Sequence, residues 1–428
     1  MRTELTPRPR PAACGWQNPG VAVIRRIPGL VTTEHELRVP LDHAAPDGEQ
    51  ITVFAREVAD PGGADRPFLL FLQGGPGMEA PRPSRHPTSP GWLDRALEEY
   101  RVLMLDQRGT GRSSPVSAAA LAGRTPAEQA TYLKNFRADA IIRDAEAFRM
   151  HLGSGPWSVL GQSFGGFTTL AYLSRAPAGL REAMFTGGLP PIGRHPDEVY
   201  RATYARVLER NRRYYARYPE DRKRFLAARD VAPVLASGDR LSHARLRQIG
   251  ALLGASDGAE RVHAILELPP ESPAFAHDVE AIAFARNPIY AILHESSYAD
   301  GHVTGWSARR AMPAAYAEDP TLMTGEHVYP WMFEEMEALA PLRDAAELLA
   351  QHEWPRLYDP DALAANEVPA AAAIYTEDMY VERAFSEETA AGVRGLRPWV
   401  TSEYEHNGLR ADGGHIVERL VDLVRGRR

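Results

Sequence analysis

The chain has 428 residues, of which 44% are hydrophobic and 25% are charged, and its formal net charge is −7 at pH 7. This composition is typical of a folded protein with a large core, and an acidic balance without a basic patch argues against a nucleic-acid partner. The single cysteine, Cys14, excludes an intrachain disulfide, and its Pro-rich surroundings predict a surface arm. No apolar run approaches the roughly 18 residues of a membrane span, so we expect a cytoplasmic protein without membrane contact.

The first 190 residues predict a sheet with intervening helices. Alternating segments at 30–41 and 51–58 flank a Pro/Asp/Gly turn and predict a hairpin. Continuous apolar runs, which suit strands buried on both faces of a parallel sheet, follow at 68–72, 102–105, 157–160 and 183–186. An apolar stripe over 138–152 predicts a helix, and the alternation of strands and helices indicates βαβ units.

The remainder of the chain changes character and then returns to the first pattern. Residues 192–365 are charged and mostly helical, whereas strands are predicted again at 370–375 and 398–402, followed by a final helix. We therefore predict one α/β domain, formed by residues 1–190 and 367–428, with a helical cap at 191–366 inserted after the sixth core strand. Two independent domains are the alternative, but the last part is too short to form a core alone.

The sequence Gly-Gln-Ser-Phe-Gly at 161–165 lies between a predicted strand and a predicted helix. This context predicts a nucleophile elbow, in which a sharp turn exposes the hydroxyl of Ser163 beside the first N–H groups of a helix. The alternative is a glycine-rich turn with an incidental serine.

A serine nucleophile needs a base and a carboxylate that orients it. Asp378 follows one late strand and His415 lies before the final helix, so both are predicted at the sheet edge that carries Ser163. Glu377 is the rival of Asp378. His406 is the rival of His415, but it follows a charged segment with fewer glycines.

The oxyanion of an acyl-transfer transition state needs two N–H donors. We predict one from Phe164, the residue after the nucleophile, and one from Gly75, with Gly74 as the near alternative. Gly75 belongs to a glycine-rich loop after an early strand, where an amide can point into the site. A plain strand-ending turn is the other interpretation.

The segment 106–114 reads Asp-Gln-Arg-Gly-Thr-Gly-Arg-Ser-Ser and follows a predicted strand. It lacks the Lys-Ser/Thr of a phosphate-binding loop. We predict a structural role, in which Asp106 and Arg108 pair and brace the loops below the site.

These motifs together resemble the proline iminopeptidases, which have the α/β-hydrolase fold, and the long insertion resembles their larger-cap branch. The matching segments are 74–77, 106–114, 161–166 and 414–415. One departure is Gln73, where members of the family usually have histidine. The resemblance implies an α/β-hydrolase fold and a serine enzyme that removes an N-terminal residue, preferably proline, from a small peptide with a free amino terminus.

The resemblance also implies cap carboxylates that bind the cationic amino terminus of the substrate. Two segments resemble the family's amine-binding segments, one at Glu295 and one at Glu326. We expect no cofactor and no metal. The competing hypotheses are an esterase or amidase without amine recognition, and a non-enzymatic module of the same fold, which would be expected to lack a triad member.

Overall fold

The computed structural model describes residues 23–282 and 284–427, so the predicted arm with Cys14 lies outside the described residues. Its centre is a sheet of nine strands. In chain order these are β1 (Val23–Ile27), β2 (Leu30–Pro40), β3 (Gln50–Ala59), β4 (Phe68–Leu72), β5 (Arg101–Asp106), β6 (Trp157–Gln162), β7 (Leu180–Thr186), β8 (Ala370–Tyr375) and β9 (Leu396–Thr401).

The strands are arranged in the order β1-β2-β3-β5-β4-β6-β7-β8-β9. The pairs β1–β2, β2–β3 and β3–β5 are antiparallel, and all other neighbours are parallel. Every residue of β4 and of β8 is buried, because helices cover both faces of the sheet. The carboxyl ends of the parallel strands share one edge, where ligands bind in open α/β sheets.

Helices pack on both faces of the sheet and fill the segment between β7 and β8. They are α1 (Leu93–Leu97), α2 (Pro126–Leu133), α3 (Ala138–His151), α4 (Phe164–Arg175), α5 (Pro196–Arg217), α6 (Asp221–Val231), α7 (His243–Arg247), α8 (Gly258–Glu267), α9 (Pro273–Glu280), α10 (Ile289–Leu293), α11 (Ser307–Arg310), α12 (Ala315–Glu318), α13 (Met332–Glu335), α14 (Arg343–Ala350), α15 (Pro360–Ala364), α16 (Arg383–Gly392), α17 (Gly408–Ala411) and α18 (Gly413–Val424). No helix of the described ranges has the length and apolar character to cross a membrane.

The predicted hairpin is present as β2 and β3, which pair in antiparallel register with Val39 opposite Ile51. The sheet has one strand more than the sequence patterns predict, because all five residues of β1 are exposed and carry no apolar alternation. The helical insertion therefore follows the seventh strand of the sheet rather than the sixth. The mostly parallel sheet with helices on both faces agrees with the predicted fold class.

The helices between β7 and β8 form a core of their own and also pack on the sheet. Val207, Phe225 and Leu246 belong to the separate apolar core of this segment. Tyr200 and Ile289 instead join the cluster that α3 and α4 form on one face of the sheet. The segment from 191 to 366, called the insertion below, therefore covers the sheet on the side of α4.

Candidate active site

Ser163 lies at the turn between β6 and α4, with backbone angles of φ 54° and ψ −124°. A non-glycine residue with positive φ is strained and persists where its surroundings fix it. Here the amide of Ser163 donates a hydrogen bond to the carbonyl of Thr186 at 3.0 Å, and Gly166 and Phe167 donate back to the carbonyl of Ser163. The turn has the strained conformation expected of a nucleophile elbow.

The glycines around Ser163 are required by close packing. A Cβ at Gly165 would collide with the carbonyl of Leu72 at the end of β4, and a Cβ at Gly161 would collide with Thr169 in α4. Helix α4 can therefore begin directly against two neighbouring strands, which brings Ser163 to the carboxyl edge of the sheet.

A histidine and an aspartate complete a line of hydrogen bonds from Ser163. His406 Nε2 lies 2.9 Å from Ser163 Oγ, and His406 Nδ1 lies 2.7 Å from Asp378 Oδ2. The other oxygen of Asp378 accepts hydrogen bonds from the amides of Tyr380 at 2.8 Å and Val381 at 3.0 Å. Asp378, which follows β8, is only 2% exposed and is fixed on both sides.

The histidine beside Ser163 is His406, so the prediction of His415 was wrong. His415 lies in α18, where it is exposed and contacts the edge of Trp399 at a ring distance of 5.7 Å. His406 lies in the short loop between β9 and α17, at the carboxyl edge of the sheet. The glycines before His415 begin helix α18 and do not present that side chain to the sheet edge.

The environment of His406 favours its protonated form. Burial lowers the pKa of His406, but the charge and hydrogen bond of Asp378, with the charge of Glu326, raise it above its usual value overall. The ring of Tyr380 packs edge-on against His406 at 4.8 Å. The imidazole is thus oriented by contacts on two sides.

The loop after β4 lies against the elbow, as predicted. A Cβ at Gly74 would lie 2.8 Å from the Cβ of Ser163, and Gly75 has a φ of 125° that side chains rarely adopt. Gln107 Nε2 donates to the carbonyl of Gln73 at 2.7 Å and supports this loop from below. Across residues 23–282 and 284–427, neither the amide of Gly75 nor that of Phe164 donates a hydrogen bond to the protein.

A cavity of about 380 Å³ opens in front of Ser163, between the sheet edge and the insertion. Its lining residues are Gln73, Gly74, Gly75, Met78, Gln162, Ser163, Gln248, Ala251, Ala281, Ile282, Phe284, Arg286, Asn287, Tyr290, Gly325, Glu326, Tyr380 and His406. Glu326 is the one carboxylate among these described residues. A larger groove of about 910 Å³, lined by parts of α3 and α4 and by residues 356–361, shares none of these residues.

Glu326 is held by two side chains of the neighbouring helix α10 and its end. Tyr290 Oη donates to Glu326 Oε2 at 2.8 Å, and His294 Nε2 lies 3.5 Å from Glu326 Oε1. Burial raises the pKa of Glu326, but the hydrogen bond and charge of His294, with the charge of His406 and the hydrogen bond of Tyr290, lower it overall. The cavity thus contains an anion whose ionised form is favoured.

Glu295 does not line this cavity, which corrects its prediction as a partner of Glu326. Its Oε1 accepts a hydrogen bond from the amide of Ala308 at 2.8 Å, and its side chain faces a separate crevice with Ala291 and Ile292. Burial raises the pKa of Glu295. Successive side chains of a helix lie about 100° apart around its axis, so the side chain of Glu295 points in a different direction from that of His294 and enters another crevice.

Arg108 is not paired with Asp106, so that prediction was also wrong. Arg108 is buried and binds Asp144 in α3 through two hydrogen bonds of 2.7 and 2.6 Å. Asp106 instead accepts hydrogen bonds from the amides of Ala80 and Arg112. Both residues brace loops near the sheet edge, through different partners.

Glu220, Asp221 and His263 form a cluster in the insertion whose ligand atoms lie within 4.8 Å of one another. Asp221 is buried and binds His263 Nδ1 at 2.8 Å and Arg224 at 2.7 Å. The Arg224 guanidinium already compensates the carboxylate charge, so we interpret the cluster as a link between α6 and α8.

Sequence reasoning ranked His406 second to His415 and missed Tyr290 and His294 as residues of the site. His406 was readable as the first histidine after the last strand, a position that outweighs the glycines near His415. Tyr290 and His294 are four residues apart and share one face of a helix, but an apolar segment around them gave no reason to select them.

Comparisons with known proteins identify the family of the chain. The family with the α/β hydrolase fold matches residues 67–356. The chain is 48% identical over 420 residues to the proline iminopeptidase of Aeromonas sobria, covering 93% of this chain and 98% of that one. It is 36% identical over 425 residues to the proline iminopeptidase aneH of Aspergillus aculeatus, covering 92% and 94%. A solved thermophilic esterase from Thermogutta terrifontis superposes with a TM-score of 0.44 at 15% identity, covering 91% of this chain and 98% of that chain.

Proposed function

Because this chain belongs to the proline iminopeptidases, a family of enzymes with the α/β hydrolase fold, we propose that it releases N-terminal proline from peptides through an acyl-enzyme at Ser163. The observation that carries this proposal is one cavity that holds both the Ser163–His406–Asp378 line and the carboxylate of Glu326. The Ser163–His406–Asp378 line has the groups that acyl transfer needs, and the carboxylate of Glu326 can pair with a cationic amine.

The proton transfers follow from the two hydrogen bonds of His406. The carboxylate of Asp378 accepts a hydrogen bond from Nδ1–H of His406, so Nε2 carries the lone pair that faces Ser163 Oγ. As Oγ attacks the carbonyl carbon of the substrate, Nε2 takes the hydroxyl proton, and Asp378 stabilises the resulting imidazolium. The same proton then passes to the leaving amine, and a water molecule activated by His406 hydrolyses the acyl-enzyme.

The negative oxygen of the tetrahedral intermediate binds two backbone amides in this proposal, those of Gly75 and Phe164. Gly75 lines the cavity, and Phe164 directly follows Ser163 as the first residue of α4. N–H groups at the start of a helix are favourable donors to a developing anion. Gly74 contributes by allowing the close approach of the loop to Ser163.

Glu326 binds the protonated amino group of the substrate. The lowered pKa of Glu326 keeps it ionised at neutral pH, and a buried cation needs an opposite charge nearby. Glu326 and Ser163 line the same cavity, and in this proposal an amine fixed at Glu326 restricts cleavage at Ser163 to the first residue. Phe284 and Tyr290, whose rings stack at 5.0 Å, give the cavity an apolar wall suited to a proline ring.

The test compares prolyl arylamide with its N-acetylated form and uses Ser163→Ala as the control for the nucleophile. We expect Ser163→Ala to lower kcat by about 10⁶, and N-acetylation to lower kcat/KM by at least about 100-fold, because it removes the charge that Glu326 binds. Equal cleavage of the free and acetylated substrates would favour an esterase or amidase without amine recognition. Near-normal turnover by Ser163→Ala would refute the acyl-enzyme.

A further inference from the structure

A second line of polar side chains continues behind Glu326, into the insertion. His294 Nε2 faces Glu326 Oε1, and His294 Nδ1 lies 3.0 Å from the hydroxyl of Tyr200 in α5. His294 is 2% exposed and Tyr200 is 1% exposed, so water does not compete for these contacts. The imidazole therefore connects a buried phenol to the carboxylate that faces the substrate.

The hydroxyl of Tyr200 and the carboxylate of Glu326 contact opposite nitrogens of His294. Burial, with the nearby charge of Glu295, raises the pKa of Tyr200 well above its usual value, so the phenol keeps its proton. A carboxylate only accepts hydrogen bonds, so the contact with Glu326 places a proton on Nε2, while the phenol contacts Nδ1. Nε2–H then faces Glu326.

This arrangement gives each oxygen of Glu326 one facing donor. Nε2–H of His294 faces Oε1, and the hydroxyl of Tyr290 donates to Oε2 at 2.8 Å. A carboxylate fixed by two donors retains lone pairs in defined directions.

The rings around His294 hold its plane in place. Tyr290 stacks on it at 5.3 Å with an interplanar angle of 20°, and Tyr298 contacts it edge-on at 5.9 Å. The neighbouring His327, next to Glu326 in the chain, is buried, and burial lowers its pKa to about 3, so it adds no charge at neutral pH. The orientation of the imidazole is thus set by the packing of these rings and by the contact between Nδ1 and Tyr200.

We propose that His294 and Tyr200 are positioning residues, which act through Glu326 to set the orientation of the amine-binding carboxylate and thereby the preference for a free N-terminus. This inference rests on the proposed function of Glu326. It predicts that Tyr200 and His294 control the KM for cationic substrates, while the Ser163–His406–Asp378 line controls kcat.

The experiment measures kcat and KM for prolyl arylamide in Tyr200→Phe, in Glu326→Gln and in the double variant. Hydrolysis of p-nitrophenyl acetate, which has no amine, reports the integrity of the Ser163 site. We expect Tyr200→Phe to raise KM about fivefold to tenfold, the loss expected for one neutral hydrogen bond, with kcat and ester hydrolysis within about twofold. In the Glu326→Gln background the same change should have little further effect, because both act through one group.

Tyr204→Phe is the matched control. Tyr204 lies one turn further along α5, is equally buried, and donates to the carbonyl of Ala308 at 2.8 Å rather than to His294. We expect its KM to stay within about twofold of the wild-type value. At His294, Gln keeps an N–H donor near the Nε2 position whereas Leu does not, so His294→Leu should raise KM more than His294→Gln.

Three results would overturn the inference. They are an unchanged KM in Tyr200→Phe, an equal KM rise in Tyr204→Phe, or KM effects of Tyr200→Phe and Glu326→Gln that multiply in the double variant. If Glu326→Gln itself leaves KM unchanged, the amine site proposed above is wrong and the inference falls with it. A KM rise in Glu326→Gln alone refutes only the roles of Tyr200 and His294.

Discussion

The sheet edge and the insertion each hold a line of three groups with a histidine in the middle, but the lines run in opposite senses. At the sheet edge, the carboxylate of Asp378 is buried behind His406, and the hydroxyl of Ser163 faces the cavity. In the insertion, the phenol of Tyr200 is buried behind His294, and the carboxylate of Glu326 faces the cavity.

The order of the three groups decides what each line can do. A carboxylate behind the ring fixes the proton on Nδ1 and leaves Nε2 as a base, so the outer hydroxyl becomes a nucleophile. A carboxylate in front of the ring can only accept, so Nε2 carries a proton and the imidazole orients the outer carboxylate as a hydrogen-bond donor. The same three chemical groups thus support acyl transfer in one region and cation binding in the other.

The largest effect that separates the two regions is expected at His406, the histidine of the sheet edge. We predict that His406→Ala lowers kcat by about 10⁶, because loss of the base costs as much as loss of the nucleophile. His415→Ala is the control, since His415 is exposed in α18 and contacts Trp399, and its kcat should stay within about twofold. Steady-state kinetics with prolyl arylamide measures both, and a large loss in His415→Ala alone would reverse the assignment.

The difficulty of that assignment shows what sequence patterns determine. Ser163 was predictable because its turn depends on local glycines and on two adjacent elements. Asp378 was predictable because it follows a fully buried strand, β8. The histidine was not, because two candidates, His406 and His415, both follow β9, and only the paths of α17 and α18 decide which one reaches the sheet edge.

Residues of the insertion were harder to predict for a different reason. The ends of parallel strands meet at one edge of a sheet, but the helices of the insertion share no such edge. Two neighbouring residues of a helix can therefore point into different cavities. Glu295 directly follows His294 in sequence, yet His294 faces Glu326 while Glu295 binds the amide of Ala308. Strand β1 was missed because it is the outermost strand of the sheet and all five of its residues are exposed, so it has no apolar pattern.

An intermediate effect is expected from the two glutamates of the insertion. We predict that Glu326→Gln lowers kcat/KM for prolyl arylamide roughly 10- to 100-fold, mainly through KM, because it removes one charge-assisted contact to the amine. Glu295→Gln preserves shape in a separate crevice and should change kcat/KM less than about threefold. Comparable losses in the two variants would place both carboxylates at the amine and contradict the cavity described above.

The smallest predicted effect couples the two regions through charge. The raised pKa of His406 places the acid limb of kcat/KM above the usual histidine value of about 6.5, because activity is lost as pH falls and the base becomes protonated. The negative charge of Glu326 contributes to that rise, so Glu326→Gln should move the acid limb to lower pH. Glu295 is not among the charges that shift His406, and Glu295→Gln should leave the limb in place. Profiles of kcat/KM against pH for the three proteins measure this coupling, and an acid limb that stays fixed in Glu326→Gln would mean that the two lines act independently.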